Sequence, residues 1–137
     1  TFVVVSTLEA SPSHEAIYLA RAIGRRDQHL GAIVANRVLP KAFTSKASKQ
    51  SARKLVRSAG ELGATLAADI GADPDAVSRV LTRLGERFDD VAIVAKRESE
   101  RQSELAALTP LLVAVPMLDR DVSDLGDLIE LSEGFAS

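Results

Sequence analysis

The chain has 137 residues, which is close to the commonest size of a single folded domain. Hydrophobic residues make up 46% and charged residues 26%, so the composition is that of an ordinary globular protein and not of a disordered one. A net charge of -2 argues against general nucleic-acid binding, and the absence of cysteine excludes disulfides and thiolate chemistry. Two isolated histidines, His14 and His29, predict no metal site.

The beginning of the chain predicts a strand, a helix and a second strand. Residues 2–6 form an apolar, β-branched run, which is typical of a strand buried on both faces of a parallel sheet. Ser11 and Pro12 then offer an N-cap and a first helical residue, and apolar residues follow at helical spacing up to Gly24. A second apolar run at 30–35 completes a βαβ unit.

The middle of the chain predicts two helices that form an antiparallel hairpin. The first runs from about 45 to 69, and the second begins with Asp73 as N-cap and Pro74 at the first helical position. This second helix is predicted over 74–107, with a length of about 50 Å. The apolar run 91–95 also fits a buried strand, but we predict helix because the apolar stripe reaches it without a break in phase.

The end of the chain predicts a third strand and a final helix. Residues 111–115 form an apolar run between Pro110 and Pro116. The last helix is indicated by apolar residues at helical spacing, namely Leu125, Leu128, Ile129 and Phe135. The predicted fold class is therefore α/β, an open parallel sheet of three strands with flanking helices and a long helical hairpin inserted in it.

The predicted organisation is one domain over 1–137, with an α/β part at 1–44 and 108–137 and a helical subdomain at 45–107. Three strands are fewer than most parallel sheets contain. Because a strand is also predicted at the first residues, we expect further strands and part of the active machinery upstream of this piece.

Sequence motifs predict no complete catalytic site in this chain. It contains no glycine-rich phosphate loop, no dinucleotide-binding glycine motif after a strand, no HExxH and no GxSxG. Gly60 and Gly63 lie within a helical pattern and are interpreted as helix-packing positions. No catalytic residue and no metal ligand is therefore predicted.

The residues that follow the apolar runs are the candidates for ligand binding, because ligands of open parallel sheets bind beyond the carboxyl ends of the strands. These tails are 6–9, 35–38 and 115–119. The amide of Asn36 can donate and accept hydrogen bonds at once, which suits the edge of a purine, although an ordinary strand-end turn is the alternative. The proline-bent backbone at Pro116 is able to line a flat ring.

Taken together, residues 1–9, 30–40 and 112–122 resemble the carboxy-terminal half of the anion-transporting ATPases. This family includes the arsenical-pump ATPases and the ATPases that target tail-anchored membrane proteins. The resemblance covers residues 1–40 and 108–135 and is weak in the helical middle. It implies a partial P-loop-NTPase-like sheet from a dimeric ATPase that binds ATP and Mg²⁺, with the phosphate loop, the catalytic aspartate and the magnesium-binding residues upstream.

The resemblance also implies roles for individual residues. Asn36 matches the asparagine that hydrogen-bonds adenine, and the loop that covers the base matches Pro116, Met117 and Leu118. Glu9 matches an acidic residue near the dimer face. Because the phosphate loop supplies most of the nucleotide affinity, we predict no ATP hydrolysis and at most very weak nucleotide binding by this chain alone. Implied partners are a related ATPase subunit and a protein or membrane-protein client, in the cytoplasm.

The main alternative is a non-catalytic α/β interaction module whose long helices pair with another protein. A stretch of basic residues allows two interpretations, a solvated and mobile segment leading into the helix or a docking surface for an acidic partner or an anionic lipid. These residues are Lys41, Lys46, Lys49, Arg53, Lys54 and Arg57. Nucleic-acid binding through this stretch is the least favoured hypothesis, because Phe43 is its only aromatic residue.

Overall fold

The computed structural model describes residues 1–118 and 125–134. The strands are β1 (Phe2–Thr7), β2 (Leu30–Val38) and β3 (Leu112–Pro116). The helices are α1 (Ala10–Arg25), α2 (Lys46–Arg57), α3 (Ala59–Ile70), α4 (Pro74–Ala106) and α5 (Leu125–Gly134), with one 3-10 turn at Lys41–Thr44. The chain divides into two compact units, a sheet unit of residues 1–40 and 97–137 and a helical unit of residues 41–96.

The sheet unit contains a parallel sheet with the strand order β1-β2-β3. Val4 of β1 pairs with Ile33 of β2, which pairs in turn with Leu112 of β3. Helix α1 connects the two parallel strands β1 and β2 and packs against them, which makes the predicted βαβ unit. The predicted α/β fold with a three-stranded parallel sheet and a long helix is confirmed.

One face of this sheet carries the core. Val4, Ile33 and Ala35 pack on the buried residues of α1, and Leu105 near the end of α4 completes the cluster with no exposed surface. Leu108 packs against the same cluster. These contacts explain why the last ten residues of α4 belong to the sheet unit, whereas the second segment of the predicted α/β part begins at residue 108.

The opposite face of β1 is exposed, so the prediction of a strand buried on both faces is wrong for this strand. Val4 is only 5% exposed, whereas Val3 is 58% and Val5 65% exposed. Neighbouring residues of a strand point to opposite faces, and α1 covers the face of Val4. Within the described part of the chain, no helix covers Val3 and Val5.

Helix α1 begins earlier than predicted. Glu9, and not Ser11, is the N-cap residue, and its side chain makes no capping hydrogen bond. The hydroxyl of Ser11 instead donates to the Glu15 carboxylate over 3.3 Å. Pro12 is tolerated as the third residue of the helix because the first backbone N–H groups of a helix have no partner inside it.

The helix predicted from 45 to 69 is two helices, α2 and α3, that meet at Ser58. The Ser58 backbone has φ -100° and ψ 9°, which departs from helical values. Its N–H still donates to the Lys54 carbonyl at 2.9 Å, and its carbonyl accepts from the Leu62 N–H at 2.9 Å. The hydrogen bonding therefore continues across a bend, and sequence patterning alone missed this bend because serine is compatible with a helix.

The basic stretch forms a 3-10 turn and helix α2, so most of it belongs to the helix and does not lead into it. The 3-10 turn Lys41–Thr44 is followed directly by α2, whose N-cap Ser45 accepts a hydrogen bond from the Ser48 N–H over 3.3 Å. Five of the six basic residues lie within α2. They form the polar face of a helix whose small apolar residue Ala52 is buried.

Helix α4 has 33 residues, and the prediction of a helix over 74–107 is confirmed to within one residue. The predicted cap is also confirmed, since the Asp73 carboxylate accepts from the N–H groups of Asp75 at 3.1 Å and Ala76 at 3.3 Å. Pro74 is the first helical residue. The ambiguous run 91–95 lies inside the helix.

Small residues let the helices of the helical unit approach closely. A Cβ atom built on Gly63 of α3 would collide with Ser78 of α4, and one built on Gly85 of α4 would collide with Val56 of α2. The rings of Phe43 and Phe88 lie 5.3 Å apart. The later a residue lies in the segment from Phe43 to α3, the earlier its partner lies in α4. Helices α2 and α3 are therefore antiparallel to α4, as the predicted hairpin requires.

Candidate nucleotide-binding edge

The tails of the three strands lie side by side at one edge of the sheet. Thr7 at the end of β1 pairs with Asn36, and Pro116 at the end of β3 pairs with Val38. The N–H of Met117 donates to the Val38 carbonyl at 2.9 Å, which holds the chain after β3 against the end of β2. The parallel sheet thus brings the predicted adenine-binding residues to the same edge.

Asn36 is half-buried, and one hydrogen bond orients its amide. The side-chain oxygen Oδ1 accepts a hydrogen bond from the Arg37 N–H at 3.0 Å. No other group in the described ranges 1–118 and 125–134 bonds this side chain. Because an amide oxygen has two lone pairs and the NH₂ group has two donors, Asn36 can still accept one hydrogen bond and donate others to a ligand.

The backbone at Arg37 explains why Asn36 is presented at the edge. Arg37 has φ 59°, which lies in the left-handed region that residues other than glycine seldom occupy. The pairing of β2 with β3 shifts between Ala35 and Val38, so Asn36 and Arg37 form a bulge. Bulges redirect side chains and are common next to functional sites. Sequence analysis missed this feature, because nothing about an arginine at this position signals a left-handed backbone.

A cleft of about 400 Å³ lies beside Asn36, on the side of β1. The end of β1, the first turns of α1 and Asn36 line it, with Glu15 and Pro12 at the helix. The hydroxyl oxygen of Thr7, which also lines the cleft, is buried and has no hydrogen-bond partner in the described part of the protein. A buried hydroxyl without a partner is destabilising unless a ligand or water satisfies it.

The predicted base-covering loop lies at the other side of β2. Pro116, Met117 and Leu118 are exposed and present apolar surface, but they do not line the cleft that contains Asn36. The structure therefore brings the two parts of the predicted site to neighbouring strand ends without joining them in one cavity. Glu9, the predicted dimer-face residue, is exposed as the N-cap residue of α1.

Arg101 of α4 takes part in this edge, and sequence analysis did not identify it. Its guanidinium donates a hydrogen bond to the Leu8 carbonyl at 2.9 Å, directly after β1. This bond connects the end of α4 to the strand end that lines the cleft. Arginine is suited to this role because its planar group donates in several directions.

Residues 1–118 and 125–134 contain no group of three or more histidine, aspartate or glutamate side chains arranged to hold a metal ion. No helix in these ranges combines the length and the apolar character needed to cross a membrane.

No protein-family model matches this chain, and neither does any curated protein. The resemblance to the anion-transporting ATPases is therefore a hypothesis that rests on the strand and strand-tail residues at 1–40 and 108–135.

Proposed function

We propose that this chain is the adenine-recognising, carboxy-terminal part of an ATPase similar to the anion-transporting ATPases. In this proposal the sheet unit holds the base, and the helical unit couples the nucleotide state to a partner. ATP and Mg²⁺ belong to the complete enzyme, because this chain contains no phosphate loop.

The observation that carries the proposal is the presentation of Asn36. Adenine offers a donor on its amino group next to an acceptor on its ring, and an asparagine amide matches this pair with its oxygen and its NH₂ group. The hydrogen bond from the Arg37 N–H to Oδ1 orients the amide and leaves its NH₂ group to donate to a ligand. Guanine presents the donor and the acceptor in the reverse order on its Watson–Crick edge, so the amide favours adenine when the apolar walls hold the base in one pose.

The surroundings of Asn36 support the same proposal. The neighbouring Thr7 hydroxyl lacks a partner, and the Pro116–Leu118 segment offers apolar surface at the adjacent strand end. Base binding requires apolar walls and a small number of placed polar groups, and both are present at this edge.

The test is a nucleoside titration of the isotope-labelled chain followed by NMR. We expect adenosine to bind with a millimolar dissociation constant and to shift the side-chain NH₂ signal of Asn36, and guanosine to bind more weakly. The near-isosteric variant Asn36→Asp keeps the acceptor for the Arg37 N–H but loses the donor, and should weaken adenosine binding about tenfold. Equal shifts with both nucleosides, or no effect of the variant, would contradict the proposal.

A specific observation favours a second candidate function, a protein-interaction module. The helical unit carries an uncovered apolar groove beside its basic helix, a feature that adenine recognition does not require. The two functions occupy different units of the chain and are compatible with each other.

A further inference from the structure

An apolar groove of about 600 Å³ runs between α2 and α4 of the helical unit. Its walls include Ala52 and Leu55 of α2 and Leu84, Gly85 and Phe88 of α4. The groove exists because Gly85 has no side chain and the two backbones approach closely beneath it. Leu84 at its edge is exposed, so apolar surface of the groove is in contact with solvent.

The α2 side of this groove is positively charged, whereas the α4 side carries both signs, with Glu86 and Asp89 beside Arg83 and Arg87. Helix α2 contains five lysine or arginine residues and no acidic residue in its sequence KASKQSARKLVR. Lys54 directly precedes the groove residue Leu55, and Arg87 directly precedes Phe88; both are exposed. An occupant of this groove should therefore combine an apolar stripe with negative charge.

Helix α5 of the same chain has these properties. Leu125, Leu128 and Ile129 follow the spacing of one helical stripe, and each is more than half exposed. The sequence of the helix, LGDLIELSEG, contains three acidic residues and no basic residue. Its apolar stripe is as uncovered as the groove, and its charge is opposite to that of α2.

We propose that α5 of one copy of the chain docks in the α2–α4 groove of a second copy. An exchange of two identical helices gives a closed dimer with twofold symmetry, in which each copy offers one helix and receives one. An amphipathic helix in an apolar groove is a common mode of protein recognition, and opposite charges at the rim fix its orientation. This dimer involves neither Asn36 nor a nucleotide, so it is independent of the proposed adenine site.

A reciprocal charge exchange tests the docking. One variant carries Lys54→Glu and Arg87→Glu in the groove rim, and the other carries Glu130→Lys and Glu133→Lys in α5. Sedimentation velocity should show a dimer for the wild-type chain, weakened by salt, and monomers for each variant alone because like charges meet. The mixture of the two variants should form a heterodimer, since each acidic surface then faces a basic one.

The apolar part of the contact is tested by Leu128→Ser, with Leu111→Ser as the matched control at another exposed leucine. Leu128→Ser should weaken the dimer about tenfold or more, and the control should leave it unchanged. The proposal is overturned if the wild-type chain is monomeric at all concentrations. It is equally overturned if the mixed charge variants fail to associate, or if both leucine variants dimerise like the wild type.

Discussion

Arg37 holds the backbone conformation on which the presentation of Asn36 depends. A left-handed residue other than glycine costs about 1–2 kcal/mol, and such strain persists only where neighbouring contacts fix it. Two contacts do so here, the bond from the Arg37 N–H to Asn36 and the bond from the Met117 N–H to the Val38 carbonyl. The sequence indicated Asn36 as a candidate through its position after a strand, but the bulge depends on pairing with β3 and could not be predicted.

Leu105 has a role that its sequence neighbourhood does not indicate. It lies in a run of helix-forming residues near the end of α4, yet it is completely buried in the core of the sheet unit. We predict that Leu105→Ala lowers the free energy of unfolding by about 2–5 kcal/mol, because it leaves a cavity between α1 and the sheet.

Leu111→Ala is the control for this substitution. Because Leu111 is exposed, its replacement should lower the free energy of unfolding by less than about 1 kcal/mol. Urea unfolding followed by circular dichroism measures both. Similar losses in the two variants would show that Leu105 does not have the packing role assigned to it.

At the level of elements, the sequence predicted the features that local chemistry determines. The cap at Asp73, the proline that follows it and the unbroken apolar stripe predicted α4 almost to its last residue. Features that depend on tertiary contacts were missed. The bend at Ser58 and the exposed face of β1 are examples, because a serine fits a helix and valines on both faces of a strand do not reveal which face is covered.

The close approach of α3 and α4 gives a prediction for two glycines of one helix. A Cβ atom at Gly63 would lie 2.9 Å from the backbone Cα and N atoms of Ser78, so Gly63→Ala must push the helices apart. We expect it to lower the free energy of unfolding by about 1–3 kcal/mol. Gly60→Ala meets nothing within 4 Å and should leave the stability unchanged or raise it by up to about 1 kcal/mol.

Thermal and urea unfolding of the two variants, measured side by side, give the change in the free energy of unfolding for each. If Gly63→Ala were as stable as Gly60→Ala, the two helices could not be packed through Gly63 as the structure shows.

At the level of the whole molecule, the two units present two different surfaces. The sheet unit gathers polar and apolar groups at its carboxyl edge, and the helical unit carries an apolar groove beside a basic helix. The sequence could predict the sheet edge, because parallel strands place all their carboxyl ends together. It could not predict the groove, because the groove forms only where Gly85 lets α2 and α4 meet.

The central claim is that Asn36 recognises adenine at the carboxyl edge of the sheet, next to the segment after β3, and photolabelling of the whole chain tests it most directly. The chain is irradiated with an azido-adenosine probe, and the labelled peptides are identified by mass spectrometry. We predict label on the segment Pro116–Leu118, competed by adenosine more than by guanosine and reduced in Asn36→Asp. Label confined to the helical unit, or label that adenosine does not compete, would contradict the account.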